Sequence, residues 1–182
     1  MKKILLIVLL TLMIFYVKAQ KMYIWCPEQL NSTPITEKAR DLEIDVSIND
    51  TRLITEKSKN KCTTAELTGS IFQIIKMTYP LSTINNVVGN KTKTESGKIF
   101  IEINIRAYYA TFTSPMWFAQ TDYSLKITDN RNSTSKEYSQ DIHKESSFFN
   151  VGGLATAKNN LNKTYIEANI ELIDFITDML ND

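Results

Sequence analysis

Apolar residues follow three rhythms along this chain, and each rhythm predicts a different element. At the amino end they run almost unbroken over residues 4–17, interrupted once by Thr11. Further on they alternate. In residues 42–49, Leu42, Ile44, Val46 and Ile48 share one side, and Glu43, Asp45, Ser47 and Asn49 the other. A period of two predicts a half-buried strand. Residues 98–112 repeat the pattern with Ile99, Ile101, Ile103 and Ile105, continued on the same parity by Ala107 and Tyr109. Residues 116–128 answer with Ala119, Tyr123, Leu125 and Ile127. Residues 135–149 alternate more weakly, with Tyr138 and Ile142 inward, and predict a sheet edge. Short β-prone runs lie at 22–25 and 84–88, whereas 57–61 reads as a polar loop. The third rhythm is helical. Thr63-Thr64-Ala65-Glu66 is a capping box, and Leu67, Ile71, Ile74, Ile75 and Thr78 then fall on one face until Pro80 ends the helix. Residues 156–180 predict a second helix on the stripe Leu161, Tyr165, Ala168, Leu172, Phe175, Ile176 and Met179.

Charge patterning proposes a register for the long hairpin. Setting Ile103 opposite Leu125 and Ile105 opposite Tyr123 also sets Glu102 opposite Lys126 and Arg106 opposite Asp122. Each such pair contributes only about 0.2–1 kcal/mol, but the pairs agree with the apolar pattern that fixes register. The implied loop, Thr113-Ser114-Pro115, would need a left-handed last residue. Proline cannot adopt one, so a bulge or a longer loop is expected there. Strands with one apolar face and helices with one apolar stripe bury each other in layers. The expected fold is α+β: a two-layer sandwich of a mostly antiparallel sheet with both helices on one face.

The amino-terminal run belongs to a different logic. Lys2 and Lys3 precede it, and Val17-Lys18-Ala19 presents a cleavage site before Gln20. That is the build of a secretory signal peptide. A membrane-spanning helix needs roughly 20 apolar residues, and this run spans fourteen. Cleavage is therefore expected over an uncleaved anchor, leaving residues 20–182 as one domain with no membrane span. A lipid anchor would need a cysteine at the cleavage point, and the first one, Cys26, follows the bulky Tyr23-Ile24-Trp25. Without Lys2, Lys3 and Lys18 the chain holds 18 basic residues against 20 acidic ones. No basic face for nucleic acid is expected from that balance. In an exported chain, Cys26 and Cys62 are candidates for a disulfide, with two buried thiols as the alternative.

Catalytic chemistry is hard to find. His143 lies in a strand among Asp141, Lys144 and Glu145, the setting of a solvated edge residue. Two cysteines and one histidine are too few for zinc. Gly152-Gly153 lacks the context of a phosphate loop, and no G-x-S-x-G elbow occurs. No cofactor is expected, and the chain does not read as an enzyme. The feature above background is aromatic. Tyr108, Tyr109, Phe112, Trp117 and Phe118 crowd the hairpin end. By parity Tyr109 and Trp117 face the helices, and Tyr108, Phe118 and Phe100 face out as a possible partner surface. Cross-strand stabilisation of the sheet is the plainer alternative.

The series Pro27, a strand closing in Asp50-Thr51-Arg52, a capped helix, the long strand 99–105 and a terminal helix ending Phe175-Ile176-Thr177-Asp178-Met179-Leu180 resembles the YajG-type small periplasmic lipoproteins. More distantly it is similar to auxiliary lipoproteins of envelope transporters. The resemblance covers most of the chain after the signal segment. It implies a two-layer fold and a non-enzymatic role in the envelope, and it assigns no binding residues. The chain departs from the family in lacking the lipid-bearing cysteine. The expected function is an exported accessory protein that binds another envelope protein. The alternatives are a carrier of a small apolar or lipid ligand held between sheet and helices, or an enzyme.

Overall fold

The structure is a computed structural model and describes residues 21–28, 41–54, 58–87 and 97–181. The expected signal segment at 1–19 and the expected loops over 30–40 and 89–96 lie outside these residues. Seven strands and two helices follow in the order β1 (Met22–Trp25), β2 (Glu43–Asp50), β3 (Lys59–Lys61), α1 (Thr64–Thr78), β4 (Thr83–Asn86), β5 (Ile99–Thr113), β6 (Met116–Asp129), β7 (Lys136–Phe149) and α2 (Gly153–Asn181). The fold class is α+β, as the alternating and helical rhythms require.

The sheet is mixed and curled rather than mostly antiparallel. β5, β6 and β7 form an antiparallel meander, but β2 runs parallel to both β5 and β4, and β1 runs parallel to β3. One edge of β5 is divided. β2 pairs with it over Ile99–Ile105, and β1 pairs with it at Ala110 and Thr111. β3 was invisible as a strand because Lys59-Asn60-Lys61 is exposed throughout and carries no apolar alternation.

The core lies between this sheet and the helices. Ile44 and Val46 of β2, Ile99–Ile105 on alternate residues of β5, and Tyr123, Leu125 and Ile127 of β6 are all buried. Leu67, Ile71, Ile74, Ile75 and Thr78 are the buried residues of α1. The α2 stripe buries Leu161, Tyr165, Ala168, Leu172 and Ile176, with Phe175 and Met179 partly covered. The capping box forms as expected: the Glu66 amide donates to Thr63 Oγ1 at 3.2 Å, and the Thr63 amide donates to the Glu66 carboxylate at 2.8 Å. Those bonds from Thr63, backbone first, hold the Glu66 carboxyl below the usual carboxylate range.

The hairpin register holds to Ile105 and then shifts. A bulge at Arg106 sets Ala107, not Arg106, opposite Asp122. Two residues of β5 thus face one of β6, which inverts the parity of everything that follows. Tyr108 and Ala110 turn inward and are buried, and Tyr109 turns outward. The bulge also removes the loop conflict. It shortens the turn to Ser114-Pro115, joined by a cis peptide, between the paired Thr113 and Met116. The expected irregularity is real but lies in mid-strand, not at the turn.

Cys26 and Cys62 are joined by a disulfide, with their Cα atoms 4.6 Å apart at a sequence separation of 36. It ties the end of β1 to the residue before the α1 cap. The chain-entropy model gives a loop of this size about 3–4 kcal/mol. Replacing both cysteines by serine should lower the melting temperature by roughly 10 °C for a domain of this length. An unchanged melt would show that the bridge contributes no net stability.

Candidate functional site

The disulfide also shapes the surface. It holds Pro27 across the amino-terminal half of α1, and the two form the walls of an open groove of about 450 Å³. The helix lines it with Glu66, Gly69, Ser70, Gln73 and Met77. That volume falls within the usual range of ligand sites. Met77 stays 42% exposed here, so an apolar side chain is offered to solvent. Gly69 is the unusual residue. Among the described residues nothing lies within 4 Å of a Cβ built on it, so none of them demands glycine. A glycine in a helix interior costs about 1 kcal/mol relative to alanine. Its lack of a side chain leaves the groove open along the helix.

Below the groove a polar layer crosses the core. The hydroxyls of Ser70 and Tyr165 lie 2.8 Å apart and connect α1 to α2. Asn169 Nδ2 donates to the Tyr123 hydroxyl at 3.2 Å and to the Tyr165 carbonyl at 2.8 Å. Thr121 and Thr164 share a hydrogen bond of 3.0 Å. Tyr108 stands edge-on to Tyr165, their rings 5.7 Å apart. Burial pushes the Tyr165 hydroxyl up to about 12, against the lowering effect of its hydrogen bond with Ser70. Burial likewise raises Tyr108 and Tyr123. These hydroxyls therefore keep their protons at neutral pH, and those of Tyr123 and Tyr165 are hydrogen-bonded to Asn169 and Ser70.

Asp50, the last residue of β2, and Arg52, two residues beyond it, flank this layer. The Arg52 guanidinium donates to both Asp50 oxygens, from Nε at 2.7 Å and Nη2 at 2.6 Å, and Thr64 Oγ1 donates at 2.6 Å. Both charged side chains are buried, at 3% and 4% exposure. Arg52 Nη1 and Asn169 Oδ1 are buried without a hydrogen-bond partner. The pattern of the sequence places Tyr123 and Tyr165 inward but gives no sign of their partners Ser70, Asn169, Thr121 and Thr164, which are polar and break the apolar stripes.

The outer face of the sheet carries the other expected candidates. Phe100 and Phe118 do lie on it, both half-buried, with Phe118 between Thr111 and Ser147. Tyr108 does not. It is buried at 1% exposure on the helix side, because the Arg106 bulge reverses its parity, so it cannot belong to a partner surface. Tyr109 takes its place outside and donates its hydroxyl proton to Gln120 Oε1 at 2.6 Å. Trp117 faces the helix side as expected, donating from Nε1 to Asn150 Oδ1 at 2.7 Å. His143 is exposed on this outer face, 3.7 Å from Asp122 and 3.8 Å from Glu145. Arg106 bridges Asp122 at 2.6 Å and Asp141 at 3.0 Å beside it. Among the described residues the one grouping with metal-ligand geometry is Cys26, Cys62 and Glu66. Its sulfurs are consumed by the disulfide, so it does not fit a metal.

No helix among the described residues is long and apolar enough to cross a membrane. Comparison with known proteins yields no matching family model and no matching curated protein. Solved structures do match. One is a crystal structure of an uncharacterized protein, 7% identical, covering 85% of this chain and 97% of its own, with a TM-score of 0.50. A hypothetical protein from Chlamydia trachomatis is 7% identical, covers 78% of this chain and 98% of its own, and has a TM-score of 0.52. A neuraminyllactose-binding hemagglutinin homolog from Helicobacter pylori is 11% identical over 84% of this chain and 87% of its own, at a TM-score of 0.43 too low to carry an argument. At these identities the first two likenesses concern the fold alone: this chain shares its α+β architecture with two solved proteins over nearly their whole length.

Proposed function

We propose that this chain is an exported, non-enzymatic binding protein of the bacterial envelope, and that it holds a segment of a partner protein in the groove along α1. Export is supported by the signal-like amino end and by the disulfide, a bond typical of oxidising compartments. A binding role, rather than catalysis, is supported by tyrosines kept protonated in the core and by a histidine standing in solvent. The YajG-type resemblance supports the same reading at the level of pattern. The observation that carries the groove is Gly69, a helix-weakening residue with open space where its side chain would point. A partner backbone approaching α1 gives that space a use.

Two substitutions test it. Gly69→Ala should stabilise the fold by about 0.5–1 kcal/mol, since it restores helix propensity without a clash. Gly69→Leu should leave the fold intact but fill the groove. In cross-linked envelopes, mass spectrometry should find a component captured by the wild type and lost with Gly69→Leu. Equal capture by both would reject the groove. A lower melting temperature for Gly69→Ala would show that the glycine serves the fold instead.

A further inference from the structure

The long hairpin and the corner after it are uncharged at one end of their strands, with Lys59 of β3 and the Lys158–Glu28 ion pair at the flank. Residues 107–121 contain no charged side chain, and neither do residues 146–157. The opposite end of the same strands carries Lys98, Asp129, Arg131, Lys136 and Glu137. At the uncharged end the chain turns from β7 into α2 through Asn150-Val151-Gly152, and apolar side chains are left in solvent there. Phe149 is 69% exposed, Val151 75% and Leu154 48%. They are not a frayed turn. The Asn150 amide donates to the Pro115 carbonyl at 3.3 Å, which fastens the corner to the hairpin tip. Thr156 Oγ1 donates to the Val151 carbonyl at 2.6 Å, and Gly152 and Gly153 supply the positive φ angles, 82° and 56°, that reverse the chain. Phe149 pairs across the strands with Met116, so corner and hairpin tip form one surface.

The described chain enters at this same end. Thr111 Oγ1 donates to the Lys21 carbonyl at 3.3 Å, and Met22 pairs with Thr111, level with the hairpin tip. In sequence, the apolar run of residues 4–17 stops four residues before Lys21. Four residues span at most roughly 14 Å.

We infer that this end of the domain rests on a lipid bilayer, with Phe149, Val151 and Leu154 in the interfacial region. Three features favour lipid over a protein partner. Both uncharged segments lack carboxylates, which would be repelled by an anionic surface. Lys21 lies beside them as a basic residue. In sequence, the apolar amino-terminal run stops four residues short of the same end and is joined to it until cleavage. Exposed Phe and Leu with adjacent lysine are the composition of interfacial membrane contacts. The groove along α1 is a separate surface, so this inference stands whether or not the groove binds a partner.

Photolabelling of the full chain tests it. The protein is reconstituted in vesicles of phosphatidylethanolamine and phosphatidylglycerol doped with a phospholipid whose acyl chain carries a diazirine. After irradiation, peptides are mapped by mass spectrometry. Label is expected on peptides containing 146–158 and 113–118 as well as on residues 1–20, and not on 129–137. The double variant Phe149→Ser, Val151→Ser alters only exposed side chains, and it should lose the label at 146–158 while keeping that on 1–20. Label confined to residues 1–20 in the wild type would overturn the inference.

Discussion

Replacing Arg52 by leucine is expected to cost about 3–5 kcal/mol of folding stability, because it strands a buried carboxylate. Asp50 would keep only the Thr64 hydroxyl and a backbone contact, in a place with 4% exposure. Replacing both Asp50 and Arg52 by leucine should recover most of that loss, since a buried ion pair contributes little more than well-packed apolar residues of similar volume. Urea denaturation of the wild type, the single variant and the double variant separates these terms. A single variant within about 1 kcal/mol of the wild type, the range of exposed pairs, would mean that the charges are solvated and not paired in the core. The same pair sets an acid limit. Burial alone would raise the Asp50 carboxyl, but the hydrogen bonds from Arg52 and Thr64 outweigh it and hold the group below the usual range. Asp129 is lowered in the same way, its hydrogen bonds with Arg131 outweighing its burial. Their stabilisation is complete above an unfolded-state pKa of about 4 and is lost as pH falls through the lower folded values. Melts should therefore be flat on the acid side down to about pH 4 and drop below it.

Tyr108→Ala should be about as damaging, at about 3–5 kcal/mol, the usual cost of emptying a buried aromatic site. Phe118→Ala, ten positions on and on the outer face, should cost about 1 kcal/mol or less through lost cross-strand contact. The contrast is a direct test of the Arg106 bulge. If alternation ran unbroken through β5, Tyr108 would lie outside beside Phe118 and the two costs would be alike, at about 1 kcal/mol or less.

That bulge marks where the sequence stops being readable. Ile44 and Val46, the α1 stripe and the isoleucines of β5 announce their faces because they recur at the period of their element. Beyond Ile105 the signal vanishes, since Ala107, Tyr108, Tyr109 and Ala110 suit either face, and one extra residue leaves no trace in their order. The Arg106–Asp122 pair was legible as an ion pair and still misled on register, because a long guanidinium reaches its partner from within the bulge. The parallel pairing of β2 escaped for another reason. An exposed or half-buried strand has the same period of two whichever way its neighbour runs. The groove left one mark, Gly69, which a helical stripe reading tolerates without comment. The α1 cap and the disulfide were legible because each rests on local chemistry or on a count of two.

The divided edge of β5 has a consequence for the order in which this protein can assemble. A chain leaves a ribosome or a translocation pore amino end first. β1 and β2 therefore emerge well before β5, the strand to which both must bind. Until β5 arrives they have only β3 and β4 as neighbours, each a few residues long. The carboxyl-terminal meander needs no such wait, because β5, β6 and β7 pair with what immediately follows them. The sequence of events thus runs against the sequence of residues: the late-made half provides the template, and the early-made half is held open until it comes. A helper that shields unpaired strands would act on residues 22–50, and a truncation after β4 would leave them with nowhere to go.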